Sequence, residues 1–154
     1  MESGTFRIVA TYDFEDYDRL VAEGRTVTGT LYAVVDNVPF PGEGWVDFTG
    51  SQLPHWAHEV LTMLEGAPSV RDLRFMNAPL ALRVHTQPPS DQVLVEAIHK
   101  GAVIHRESLT ALRLCEALRS ALAAIAETLH GRGKDSSQID QTIWWLDKAM
   151  EGMG

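Results

Sequence analysis

The chain has 154 residues, 45% of them hydrophobic and 22% charged, with a formal net charge of −8. That length fits one domain, residues 1–154, able to bury its own core, and the composition excludes a disordered or collagen-like chain. A single cysteine, Cys115, excludes an internal disulfide and fits a reducing compartment.

The acidity is uneven. Residues 1–50 carry nine acids against three bases, and the other 104 residues carry twelve against ten. Such a field repels nucleic acid and speeds encounter with a basic partner. No apolar run approaches a membrane span, and the N-terminus lacks a basic region followed by an apolar one. The expectation is a cytoplasmic protein with no membrane contact.

In chain order, "TFRIVATYD" (5–13) alternates and reads as a strand. "RTVTGTLYAVVDN" (25–37) reads the same way, with Val27, Gly29, Leu31, Ala33 and Val35 on one face. The link "FEDYDRLVAEG" between them fits a short helix stopped by Gly24 or an extended wet hairpin. "NVPFPGEGW" (37–45), with two prolines and two glycines, reads as a loop. Ser51 can cap a helix that has Pro54 in its first turn, an apolar arc of Leu53, Trp56, Ala57, Val60, Leu61 and Leu64, and a stop at Gly66.

Strands follow over 70–77 and 80–86, turning at Asn77, Ala78 and Pro79, and again over 92–99. "AVIH" (102–105) extends the sheet after a Lys100–Gly101 turn. A long helix runs from Ser108 to His130, with Leu114, Cys115, Leu118, Leu122, Ile125 and Leu129 on its apolar face. Residues 131–137, "GRGKDSS", form a flexible linker. Ser137 with Asp140 then reads as a capping-box variant opening the last helix. The order ββ-α-βββ-αα predicts an α+β fold, an antiparallel sheet of about five strands with helices on one face.

Three clusters qualify as sites. The first is "HWAHE": His55, His58 and Glu59 lie together opposite the apolar arc at about 100° per residue. A zinc helix needs histidines four apart with the glutamate between, and a third ligand from elsewhere, so the plainer reading is a solvated face with a Glu59–His55 pair. No metal or cofactor is expected. The second is the acid run Asp13, Glu15, Asp16 and Asp18, interleaved with Tyr12, Phe14 and Tyr17. It fails the calcium-loop pattern, which needs a glycine at the sixth position where Asp18 stands. It suits a cationic protein surface, with a solvated loop over tucked-in rings as the plainer reading. The third is "IWWL": Trp144 and Trp145 flank the stripe Ile139, Ile143, Leu146 and Met150. That predicts at least one ring packed in the core, with either the helix seated in a deep groove or the other ring offered at an interface, a homodimer contact included.

Other motifs fail. "TGSQL" lacks the second glycine of a nucleophile elbow, and "GRGKDSS" has Asp135 where a phosphate loop needs a hydroxyl. Cys115 on an apolar arc reads as a small core residue. Arg74, Arg83, His85 and Glu96 read as a charge ladder on an open sheet face.

With no catalytic constellation, a non-catalytic binding module explains the pattern best. A small, acidic, single-domain α+β chain of this kind resembles immunity proteins of bacterial toxin systems in overall character. "GEGWVDF" and "LRFMNAPLALRV" are similar to parts of small uncharacterised bacterial proteins and carry no functional residue across. The resemblance implies a basic, toxin-like or nuclease partner, steered by Asp13, Glu15, Asp16 and Asp18 and anchored by Tyr12 or Tyr17. The alternatives are a small metal-dependent enzyme or small-molecule binder using His55, His58 and Glu59, and a subunit of an oligomeric assembly held through Trp144 or Trp145.

Overall fold

Residues 6–76 and 79–153 are described by the computed structural model. Thr5, expected to open the first strand, and the turn residues Asn77 and Ala78 lie outside them. In order the elements are β1 (Arg7–Ala10), α1 (Tyr17–Ala22), β2 (Gly29–Val35), β3 (Val38–Phe40), β4 (Val46–Asp47) and α2 (Thr49–Glu65). The chain continues through β5 (Ser69–Arg74), β6 (Leu80–Thr86), β7 (Gln92–His99), β8 (Ala102–Thr110), α3 (Ala111–Gly131) and α4 (Ser137–Glu151).

These elements make an α+β protein with two antiparallel four-stranded sheets and four helices, not a single five-stranded sheet. The reason lies in β2. Ala33 faces Ile8 of β1 on one edge and Phe40 of β3 on the other, and Gly29–Thr30 pair with β4. With both edges taken, β2 has none left for β5, so β5–β8 form their own meander. The expected loop 37–45 supplies part of this closure. Asp36 and Asn37 adopt φ of 50° and 66°, the left-handed pair of a tight hairpin turn, and send β3 back along β2. Pro39 is tolerated because β3 is an edge strand.

Other boundaries shift for local reasons. The ambiguous link is helical over α1, with Gly24 at φ +69° after it. Helix α2 begins at Thr49, ahead of the expected Ser51 cap, because its first amides are met from outside: Asp47 Oδ1 accepts from Phe48 N at 2.7 Å, and the Val27 carbonyl accepts from Gly50 N at 2.9 Å. Pro54 therefore lies inside the helix. Ser108–Thr110 extend β8 opposite Gln92–Leu94 rather than starting α3, and the Thr110 hydroxyl caps α3 by accepting from Arg113 N at 3.1 Å. At α4, Ser136 rather than Ser137 is the cap residue, with its hydroxyl 2.8 Å from Asp140. The Lys100–Gly101 turn between β7 and β8 forms as expected, with φ of 52° and 79°.

One core joins the layers: Leu31, Ala33 and Val35 from β2, Leu53, Trp56 and Val60 from α2, Leu82, Val84 and Val95 from the meander, Leu118, Leu122 and Ile125 from α3, and Ile139 and Leu146 from α4. Burying side chains of this size contributes about 1.5–3 kcal/mol each. Buried polar groups tie the two sheets together. Asp47 of β4, fully buried, accepts from Trp45 Nε1 at 2.9 Å, from Phe48 N, and from Met76 N just beyond β5 at 2.9 Å. Glu107 of β8 accepts from Asp36 N at 2.7 Å, while Trp56 Nε1 of α2 donates to the Arg74 carbonyl of β5 at 3.0 Å and ties that helix to the meander. Among the described residues no helix is long and apolar enough to cross a membrane.

Candidate functional site

The acid run is built on an extension of the β1–β2 pairing. Thr11 N and Asp13 N donate to the Thr30 and Thr28 carbonyls at 2.9 and 2.8 Å, so the chain stays extended as far as Asp13. Asp13 Oδ1 then accepts from Glu15 N at 3.0 Å, turning the chain into α1. Alternation puts Tyr12, Phe14 and Tyr17 underneath, with ring centroids 5.1–6.3 Å apart, while Asp13, Glu15, Asp16 and Asp18 stand exposed above them. The α3–α4 connection closes against this cluster. The Arg132 guanidinium lies 4.1 Å from the Phe14 centroid, and Lys134 Nζ lies 2.7 Å from Asp18 Oδ1. The expected flexible linker is thus held at two points. Arg19 pairs with Asp16 at 3.3 Å, whereas Asp13 and Glu15 have no cationic partner among the described residues.

Beside the ridge lies an open cleft of about 500 Å³. Tyr12, Tyr17 and Arg25 form one wall, Ser51, His55 and His58 of α2 a second, and Asp135, Ser137 and Gln138 at the start of α4 a third. The tyrosines and histidines that the sequence assigns to competing sites therefore share one hollow. Burial pushes the Tyr12 phenol up to about 12, with Tyr17 adding to the shift. Burial also raises Tyr17, opposed by Lys134 and reinforced by Asp135 and Asp18. Neither phenol oxygen has a hydrogen-bond partner among the described residues, and neither is sealed from solvent. Hydrogen bonds from the Ser137 hydroxyl and amide hold Asp135 below its ordinary value.

His55 Nε2 lies 3.6 Å from Glu59, and Glu59 also pairs with Arg71 of β5 at 2.6 Å, as in the expected solvated pair with one more member. Among the described residues no three His, Cys, Asp or Glu side chains converge in a way that could hold a metal ion. Cys115 is buried, and burial pushes its thiol up to about 12, far from a nucleophile's range.

The tryptophans depart from expectation. Trp144 and Trp145 are 49% and 47% exposed, so neither ring is packed in the core. They meet edge-to-face with centroids 5.0 Å apart, and Lys148 Nζ lies 5.4 Å from the Trp144 centroid. Ile139, Thr142 and Leu146 fill the buried stripe instead.

Sequence reasoning missed one polar cluster and found only part of another. His130 Nε2 lies 2.6 Å from Ser136 Oγ, and Asp140 approaches both. This is not a catalytic triad, because Asp140 contacts the same imidazole nitrogen as the serine and leaves Nδ1 unoriented; it closes the turn between α3 and α4. On the meander, Asp72, Arg83, Glu96 and Arg106 fall opposite one another across four strands, alternating in sign. Arg83 pairs with Asp72 at 2.9 Å and His85 with Glu96 at 2.5 Å, which satisfies most of this face internally. The i, i+2 alternation places Arg83, His85 and Glu96 on this ladder as expected, but Arg74 falls opposite Ala81, and Asp72 and Arg106 join instead, because register follows only from the turns. The chain matches no family model, no curated protein and no solved structure.

Proposed function

We infer that the protein is a non-catalytic binding module that engages a basic protein partner, in the manner of an immunity protein masking a toxin or nuclease. The observation that carries this reading is the acid ridge: four exposed carboxylates on one short segment, braced from beneath by three rings and by the α3–α4 connection. A braced ridge loses little conformational freedom on binding, which favours a preorganised contact. Arg19 and Lys134 offset two of the four charges, so Asp13 and Glu15 are the pair free to meet a cation. The test is capture from cell extract on immobilised protein, elution with salt, and purification of whatever elutes. A basic protein whose association rate falls with ionic strength, and falls again with Asp13→Lys and Glu15→Lys together, supports the reading. An association rate unchanged by both treatments overturns it.

A second reading, self-association through α4, is favoured by the exposed tryptophan pair. Two adjacent half-exposed indoles make an apolar patch of the kind found at interfaces. Sedimentation of the wild type and of Trp145→Ala reads it directly: a dimer that dissociates in the variant supports it, and a monomer across the accessible concentration range removes it.

A further inference from the structure

We propose that the cleft between α1, α2 and α4 is a binding site for a small organic anion, a carboxylate or phosphate on an apolar body. This goes beyond the acid ridge and stands on different residues. Tyr17 is only 9% exposed, yet its phenol lines the cleft with no hydrogen-bond partner among the described residues. Tyr12, beside it, is half-buried and likewise without a hydrogen-bond partner among the described residues. Neither hydroxyl is sealed from solvent, so each is free to donate to an acceptor seated in the hollow.

The rest of the lining fixes the sign of that acceptor. Arg25, His55 and His58 supply ring and guanidinium nitrogens; among the described residues Arg25 is engaged only by a 3.4 Å contact to Glu23, and His55 by a 3.6 Å contact to Glu59. Ser51 of α2 and Gln138 of α4 also border the cleft with polar side chains. Asp135 is the one carboxylate among the lining residues, and its Oδ1 is taken by the Ser137 amide and hydroxyl. Val21, Val27, Pro54, Leu129 and Ile139 provide an apolar floor for the ligand body. A volume of about 500 Å³ lies within the ordinary range for small-molecule sites.

The probes are benzoate, phenyl phosphate and, with the opposite charge, benzamidinium, each titrated against histidine ring proton shifts. Signals are assigned with His55→Gln and His58→Gln. Saturable shifts at both histidines with either anion, and none with benzamidinium, are expected; comparing the two anions distinguishes carboxylate from phosphate. Arg25→Gln should weaken binding by about tenfold, the share of a charge-assisted hydrogen bond, and Tyr17→Phe by a few-fold. Both substitutions leave the core side chains in place, and near-ultraviolet circular dichroism checks the fold. The proposal is overturned by non-saturating shifts with both anions, by tighter binding of benzamidinium, or by anion affinity that survives both substitutions.

Discussion

The seam between the two sheets and the cleft beside α1 use polar residues in opposite ways. At the seam, Asp47 and Glu107 are buried and each accepts from the other sheet or its flanking turn, and the buried Trp56 indole ties α2 to β5. At the cleft, the Tyr12 and Tyr17 hydroxyls stay open to solvent and have no hydrogen-bond partner among the described residues. A polar group satisfied in burial holds the fold together, whereas a hydroxyl open to solvent is free for a partner from outside. The contrast separates polar groups that fold the chain from those available to a ligand.

Removing a seam group should produce the largest effects. Asp47→Ala removes a fully buried carboxylate and strands three donors, on Trp45, Phe48 and Met76, and should cost about 3 kcal/mol or more in urea unfolding. A loss below about 1 kcal/mol would mean that water replaces the carboxylate and the seam is not sealed. Gly29→Ala belongs beside it. A Cβ there would stand 1.9 Å from the Thr11 carbonyl oxygen, so the pairing that carries the chain toward Tyr12 cannot form unchanged. Its cost should rival that of Asp47→Ala and should also disturb the cleft. Glu107→Ala removes one acceptor, for Asp36 N, and should cost about 1–2 kcal/mol, with Glu107→Gln recovering part of it.

Much of this division was legible in the sequence, and the illegible part has a physical cause. Periodicity places β2, α2, α3 and α4, and the face Val27, Gly29, Leu31, Ala33 and Val35 is buried as expected. The sheet count failed because pairing is non-local: nothing in "NVPFPGEGW" says that its two ends return to the same strand. For the same reason the wheel puts His55 and His58 on a wet face, correctly, but cannot say that this face looks at Tyr12 across a cleft. Trp144 and Trp145 mislead in the other direction. Residue type favours burial, but the stripe beneath them is already filled by Ile139, Thr142 and Leu146.

A smaller effect separates the core from the cleft by pH. Burial raises both the Cys115 thiol, from 9.0, and the Tyr12 phenol, from 10.0, to about 12. The unfolded chain then releases protons that the folded chain retains, so stability is unaffected below about pH 9 and falls as pH rises toward 12. Each group contributes a slope of at most about 1.4 kcal/mol per pH unit within its window. Urea unfolding between pH 9 and 10 should show a shallower slope in Cys115→Ala than in the wild type. Equal slopes would mean that the thiol is not sealed in the core.

The smallest effect is the most discriminating. Tyr12→Phe, Tyr17→Phe and His58→Ala remove groups with no hydrogen-bond partner among the described residues, so each should change stability by less than about 0.5 kcal/mol. Tyr17→Phe and Asp47→Ala both delete a polar group from a largely covered residue, yet their costs should differ. The difference is that the Asp47 carboxylate leaves donors behind and the Tyr17 hydroxyl leaves none. A phenylalanine variant that is neutral in urea but weaker toward an anion would place the hydroxyl in recognition rather than folding. A variant destabilised by more than about 1 kcal/mol would show that Tyr17 meets a partner within the fold, and the contrast between seam and cleft would collapse.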